Sequence, residues 1–385
     1  MIDLTGRAKA RLARLIHGKA DYDMLARISA ARQATFILAM AGTKLSDIDG
    51  VSAAGTNPES IRHTPARDAR ALMGALKDGE SLPASPSGVT SPVVLTRAAL
   101  SFINHRKFIV DCGSFHRADI GEEVLIKDPS ASIETGLAQS DQTVRQLFEG
   151  GVARAKALAK EELVVIAECV PGGTTTALAV LLALGFPAQN LLSGSHIKPN
   201  NEAKLALAQR GLRAVAARLK LNLDELPSLF QSQPLLAVSS LGDGMQAYAA
   251  GLCRQRDSQG QLTVLAGGSQ MLAVFALSQA IGQLEQSKTS TKSKLCHSLV
   301  ATTKWVAADP HADTPALAAM IDAHYAASFL DLSKSRHAGL RAYEEGHVKE
   351  GVGAGAAMML AHLMGQADEA TLLEVIDSYY EALIS

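Results

Sequence analysis

Two glutamates stand beside glycine-rich turns that open apolar helices. Glu168 lies at the end of the apolar run in "ELVVIAECVPGGTTTALAVLLALG" (162–185), and Glu350 precedes three glycines in "HVKEGVGAGAAMMLAHLMG" (347–365). A carboxylate held at such a place can accept a proton. In the first stretch Gly172 and Gly173 carry no Cβ to keep a ligand from the backbone. The helix that follows starts with unpaired N–H groups and partial positive charge, which suit an anion. Thr174 and Thr175 add hydroxyl donors. No Lys follows the glycines, so this is not the ATP-binding P-loop, and the G-x-G-x-x-G spacing of a dinucleotide site is absent. On these residues alone a plain strand-to-helix turn fits the first stretch equally well. Gly/Ala helix packing with an exposed Glu fits the second.

Two further stretches carry polar groups. "LAGGSQMLAV" (265–274) repeats the strand, Gly-Gly, polar, helix order, either as a second set of phosphate donors or as a tight turn. "SLPASPSGVTSPVV" (81–94) reads as a proline-rich loop that lines a pocket or merely connects. The histidines, including His196, His311 and His347, show no H-E-x-x-H spacing, so no catalytic metal is expected. Cys112, Cys169, Cys253 and Cys296 are far apart and form no C-x-x-C, which fits reduced, mostly buried thiols. Cys169 adjoins Glu168 but has no evident His partner for a nucleophilic role.

The elements that must position these groups alternate. Strands are predicted at "ATFILAM" (34–40), "KFIVDCG", "ELVVIA", "PLLAVSS", "QLTVLAGG", "SLVATTKWV" and "ASFLDLS". Helices are predicted at 64–76 with Thr64 and Pro65 at the start, at "SPVVLTRAALSFI", at "SDQTVRQLFEGGVARAKALAK", after Gly173, and at "NNEAKLALAQRGLRAVAARLK". The alternation implies an α/β fold, a mainly parallel sheet with helices on both faces. Ligands in such sheets sit at the C-terminal strand ends, where "DCGSF", "ECVPGGTTT", "SSLGDGM" and "LAGGSQ" fall. The expected organisation is a core domain over 34–335 and a smaller, mainly helical subdomain from 1–33 and 336–385 that contributes Glu350. "QSKTSTKSK" (286–294) reads as a solvated loop.

Composition sets the outer bounds. The 385 residues are 47% hydrophobic but only 4% aromatic, so the core must be mostly Ala, Leu, Val and Ile. A net charge of −1 gives no electrostatic case for nucleic acid or an anionic membrane. No run approaches the roughly 20 apolar residues of a membrane span, and the charged N-terminal segment lacks a signal pattern. A cytoplasmic setting is expected.

Taken together, residues 34 to 365 resemble the nicotinate-nucleotide–dimethylbenzimidazole phosphoribosyltransferase family of cobalamin lower-ligand synthesis, and more closely its divergent archaeal and cyanobacterial branch. "SPSGVTSPVVLTRAAL" is similar to the family's loop and helix beside the acceptor base, "FIVDCG" to a Val-Asp-x-Gly strand end, and "QLFEGGVARAKALAK" to the helix before the Glu strand. "AECVPGGTTTALAVLLALG" stands where the well-studied branch has Gly-Glu-Met-Gly-Ile-Gly-Asn-Thr-Thr, with Pro171 and a Thr triplet as departures. "KEGVGAGAA" stands where that branch has Gly-Glu-Gly-Thr-Gly-Ala, with Lys349 replacing Gly.

The resemblance implies an enzyme that moves the 5-phosphoribosyl group from nicotinate mononucleotide to a benzimidazole-type base and releases nicotinate. It implies Glu350 as general base, and Glu168, Gly172, Gly173, Thr174, Thr175, Lys204, Gly268 and Ser269 around the donor. Pro86, Ser87, Thr90 and Gly351 would line the acceptor pocket. No cofactor is needed, the partners are the two small molecules, and a homodimer is expected. The alternatives are the same donor with adenine or a phenol as acceptor, or a nucleotide-binding protein without turnover.

Overall fold

The computed structural model describes residues 12–18, 22–160, 162–198, 200–286 and 295–384. Eight strands form one sheet: β1 Ala13–His17, β2 Ala34–Met40, β3 His105–Cys112, β4 Glu123–Ile126, β5 Leu163–Cys169, β6 Thr263–Ala266, β7 Ser298–Thr303 and β8 His324–Ser328. Their order is β1-β8-β7-β6-β5-β2-β3-β4, parallel throughout except for β1, which pairs antiparallel with β8. The expected α/β architecture is therefore present, with one antiparallel edge.

Alternation along the central strands sends side chains to two cores. Ile37, Ala39, Val164 and Ile166 join one apolar layer under the helices Asp141–Ala157, Gly173–Ala183, Asn201–Leu219, Gly244–Ser258 and Ser269–Gln286. Phe36, Leu38, Met40, Val165 and Ala167 join the other, under the helices Pro58–Met73, Val93–Leu100, Ala354–Leu363 and Glu369–Ile384. Both faces are buried, which is why these strands read as continuous apolar runs.

The chain winds outward from β2 in both directions, first to β3 and β4, then through β5 to β8. Strands β2 and β5 are neighbours with Ala39 opposite Glu168. Their C-terminal ends thus form the topological switch point where open α/β sheets leave a crevice.

The last apolar helix closes the frame. Gly353 caps the Ala354–Leu363 helix at φ +69°, and a Cβ there would lie 2.8 Å from the Ala167 Cβ and 2.9 Å from that of Ala266. Gly355 sits so close that its Cβ would overlap the Thr302 backbone. The glycines of "EGVGAG" therefore let the helix start rest directly on the strand ends.

Several elements differ from the sequence reading. The helix expected from Thr64 begins at Pro58, capped by Asn57, whose side chain accepts from the Ser60 N–H, and Pro65 lies inside it. The Asn-Pro opening outcompetes Thr-Pro, and Pro65 removes only the donor to the Ile61 carbonyl. "PLLAVSS" is the helix Pro234–Leu241, not a strand: Pro234 stands in its first turn, and most of the run is buried, with Leu235 and Leu236 partly exposed. The final strand is placed earlier than "ASFLDLS", ending at Ser328, and "SLVATTKWV" turns helical after Thr303. Ala13–His17 form an edge strand within the segment expected to be helical. The loop expected at 286–294 lies outside the described residues beyond Gln286. Among the described residues no helix is long and apolar enough to cross a membrane.

Candidate active site

At the switch point a cavity is lined from three directions. The loop after β2 and the helix Pro58–Met73 bring Val51, Thr64 and Asp68, and the loop before Val93–Leu100 brings Pro83, Ser85, Val89 and Ser91. The turn after β5 brings Glu168, Gly172 and Thr174, with Ser195, His196, Lys204, Gln270, Glu350 and Gly351 completing the wall.

The two glutamates of the sequence reading meet here. Glu168 is the penultimate residue of β5, and its Oε2 accepts from the Val170 N–H at 3.1 Å and from Gln270 Nε2 at 2.9 Å. Glu350 arrives on the turn after "HVK". Its Oε1 accepts from the Gly351 N–H at 3.1 Å and the Gly355 N–H at 3.3 Å, and its Oε2 from the Thr302 hydroxyl at 3.0 Å. The two turns touch directly, since the Val352 N–H donates to the Glu168 carbonyl at 3.1 Å. The Val352 carbonyl in turn accepts from the Thr96 hydroxyl at 3.0 Å.

Val348 and Val352 flank Glu350 at φ +48° and +53°. β-Branched residues are seldom held there, at a cost of order 1–3 kcal/mol each. The backbone around Glu350 is fixed by its surroundings and not by local preference.

Burial governs the electrostatics. It pushes Glu168 up to about 8, with the negative charge of Glu350 adding to the rise. Burial also pushes Glu350 up to about 7, partly offset by the Gly351 and Gly355 amides and the Thr302 hydroxyl. A third carboxyl, Asp68, is pushed up to about 7 by burial, offset in part by Ser91 and the Cys169 thiol. Around neutrality the cavity thus holds carboxyl groups poised between their two states.

The opposite side is cationic. Lys204 is 3% exposed, and burial and the nearby Lys349 lower it to about 8. Lys349 Nζ is bound by Asp309 at 2.6 Å, and Asp309 also accepts from Ser193 and from the His311 N–H. Among the described residues no carboxylate lies within ion-pair distance of Lys204. Its Nζ reaches over Gly194, where a Cβ would lie only 2.6 Å away. His196 Nε2 is buried without a hydrogen-bond partner, and burial beside both lysines keeps this ring below its usual range. A buried ammonium and an orphaned ring nitrogen on one wall make a place for an anion.

The remaining sequence candidates divide. Gly172, Thr174, Lys204 and Gly351 line the cavity. Gly173 does not; its N–H is engaged by the Val170 carbonyl at 2.9 Å, and a Cβ on it would overlap the Gln270 amide. Thr175 points into the core, its N–H bonded to Gly172 and its hydroxyl buried without a partner. Gly268 packs on Val306, and the Ser269 hydroxyl donates to the Ser193 carbonyl at 2.8 Å, so both support the wall from behind. In the proline-rich loop Pro86 and Ser87 are exposed, and Ser87 meets His347 at 2.8 Å. Thr90 does not line the cavity either. Instead Ser85, Val89 and Ser91 face inward, because the loop doubles back between Ser85 and Val89.

Asp68, His196 and Gln270 were not legible as site residues. Asp68 sits mid-helix in "PARDARAL", where a lone acid ordinarily faces solvent. Gln270 lies one residue beyond the expected Gly268–Ser269 pair, the nearest hint the sequence held. Cys169 donates its thiol to Asp68 at 3.3 Å and is pushed well up by burial, which disfavours the thiolate that a nucleophile needs. Among the described residues Glu59, His63 and His116 lie close enough together to share a metal ion, a grouping the sequence reading did not find, but they stand outside the cavity lining.

Comparison with known proteins gives one consistent picture. No protein-family model matches the chain. A UPF0284 protein of Saccharolobus solfataricus is 35% identical over 351 residues, 91% of this chain and 93% of that protein. A UPF0284 protein of Picosynechococcus sp. is 35% identical over 354 residues, 90% of this chain and 92% of its own length. Among solved structures, nicotinate-nucleotide-dimethylbenzimidazole phosphoribosyltransferase from Thermus thermophilus aligns with a TM-score of 0.56 at 16% identity, covering 94% of this chain and 91% of that one. A structure of CobT from the same organism aligns at 0.57, also 16% identical, covering 98% and 97%. The fold is shared with these structures, and the archaeal and cyanobacterial relatives agree with the branch read from the sequence.

Proposed function

The chain belongs to the UPF0284 family, and we propose that it is a phosphoribosyltransferase acting in cobalamin lower-ligand synthesis. It moves the 5-phosphoribosyl group of nicotinate mononucleotide to a benzimidazole-type base, a fused imidazole with one N–H and one lone-pair nitrogen. The observation that carries this reading is the cavity at the β2/β5 switch point, where two buried glutamates on touching turns share one space with a buried lysine that has no carboxylate within ion-pair distance among the described residues.

The donor phosphate is assigned to Lys204 and His196, with the Thr174 hydroxyl and Cβ-free Gly172 at the helix start. This places the ribose toward Glu168. The bond from C1′ to the pyridinium nitrogen breaks, its electron pair returns to the nicotinate ring, and the ring loses its positive charge. The lone-pair nitrogen of the acceptor forms the new bond to C1′ from the other side, while its N–H proton passes to ionised Glu350. Positive charge develops on the ribose during this exchange, and ionised Glu350 supplies negative charge in the same cavity until it takes the proton. Holding both substrates side by side in one cavity adds the orientation contribution. No metal or cofactor takes part in this scheme. A homodimer in the cytoplasm is part of the same proposal.

The test is release of nicotinate from nicotinate mononucleotide in the presence of a panel of fused imidazoles and phenols, with the nucleotide product identified by mass. Donor binding by calorimetry with no release for any acceptor would replace the transferase by a nucleotide-binding protein.

A further inference from the structure

Asp68 is 3% exposed, lines the cavity, and has one carboxyl oxygen, Oδ1, without a hydrogen-bond partner among the described residues. Its Oδ2 accepts from the Cys169 thiol at 3.3 Å. A buried acceptor left unpaired in the free protein calls for a ligand donor, since desolvating it without a partner is costly. The scheme above gives it none. The phosphate lies on the Lys204 side, and the single N–H of a simple benzimidazole is taken by Glu350.

The neighbours of Asp68 say what the donor belongs to. Ser85 and Ser91 come from the loop before the Val93–Leu100 helix, Thr64 lies one turn before Asp68 on the Pro58–Met73 helix, and Val89 and Pro83 supply flat apolar surface. This part of the cavity lining thus sets apolar side chains beside a polar end. Its polar end is set by Asp68, whose Oδ2 is held by the Cys169 thiol of the central strand, with Ser91 of the loop in the same lining.

We infer that Asp68 is a specificity-determining residue that accepts a hydrogen bond from an amino substituent of the acceptor, so that the cavity selects an amino-substituted fused imidazole, an aminopurine, over bases that carry only alkyl groups. This rests on the transferase reading for its acceptor chemistry, but concerns a residue that the reaction itself does not use. A base with methyl groups at that end leaves Oδ1 unpaired. An amino group pairs it and adds no charge. Sites built to hydrogen-bond a substrate N–H discriminate strongly against analogues that lack it.

The experiment pairs adenine with purine, which differ only by the amino group, and adds 5,6-dimethylbenzimidazole. Nicotinate release and base binding by calorimetry are both measured, for wild type, Asp68→Ala and Asp68→Asn. Wild type is expected to favour adenine over purine by about 10- to 100-fold in kcat/KM or affinity. In Asp68→Ala the ratio should fall toward one, with Kd for nicotinate mononucleotide unchanged. Asp68→Asn, whose amide oxygen still accepts, should keep part of the preference. Equal use of adenine and purine by wild type overturns the inference while leaving the transferase reading intact. So does an adenine preference that survives in Asp68→Ala, or a loss confined to donor affinity, which would assign Asp68 to the ribose hydroxyls. A binding preference that vanishes in Asp68→Ala without any nicotinate release would uphold this role of Asp68 and overturn the transferase. Binding of none of the bases, without release, overturns both.

Discussion

Replacing Glu350 by Gln removes the proton acceptor and little else. Glu350 Oε1 receives the Gly351 and Gly355 amides, and an amide oxygen in that place receives them equally well. The new amide nitrogen would face Thr302, whose hydroxyl can rotate to accept from it, while the Gly355 N–H, 3.3 Å from both oxygens of Glu350, would stay with the amide oxygen. The turn should therefore keep its shape, and donor affinity should hold, since Lys204 and Thr174 lie on another wall. Turnover should fall by roughly 10²- to 10⁴-fold, the scale of general-base loss. The wild-type pH profile supplies an independent number. With Glu350 at about 7, the ionised, proton-accepting form is about a tenth of the total at pH 6 and about nine tenths at pH 8. The rate should climb about tenfold over that interval, and in Glu350→Gln this limb should disappear. The assay is nicotinate release at saturating donor and acceptor, with calorimetric donor Kd on both proteins. Near-normal turnover of the variant with an acceptor used by wild type would refute Glu350 as base. A wild-type rate that falls through pH 7 would do the same.

Three further outcomes follow from the geometry. Lys204→Met should weaken nicotinate mononucleotide binding about 10- to 100-fold. Because a phosphate raises Lys204 from about 8, wild-type binding at pH 8.5 should take up a proton, read as a buffer-dependent enthalpy that the variant lacks. Glu168→Gln should change the pH dependence of stability. The folded group holds its proton up to about 8 whereas the unfolded one loses it near 4.5, so folding is best supported at low pH and loses on the order of 3–5 kcal/mol as pH rises through that window. The variant should melt at higher temperature than wild type at pH 8.5 and show a flatter profile, and an identical profile would mean Glu168 is not a raised acid. Gly173→Val should displace the Gln270 amide from Glu168, cutting donor affinity about tenfold or more with unchanged far-ultraviolet dichroism; unaltered affinity in the folded variant would separate this turn from the donor.

The sequence by itself determined the elements whose periodicity is strong. "ATFILAM" is a strand over the same residues because every side chain is buried, and "SDQTVRQLF…" is a helix with Ser140 at its cap. It also determined that Glu168 and Glu350 sit at glycine-rich helix starts, because the need for Cβ-free backbone is written in residue type. It misplaced "PLLAVSS", since an apolar run this short does not show whether its period is that of a strand or a helix. What only the tertiary structure decided is convergence. Glu350 reaches Glu168 because Gly353 and Gly355 let a late helix rest on the ends of β5, β6 and β7. Asp68, His196 and Gln270 belong to the cavity for the same reason. Each sits in an ordinary local pattern, and only the winding of the sheet about β2 turns it toward the switch point. The proline-rich loop makes the complementary case. Its composition allowed either a pocket wall or a plain connector, and which of its residues face inward was set by the doubling back between Ser85 and Val89, a matter of backbone path and not of residue type.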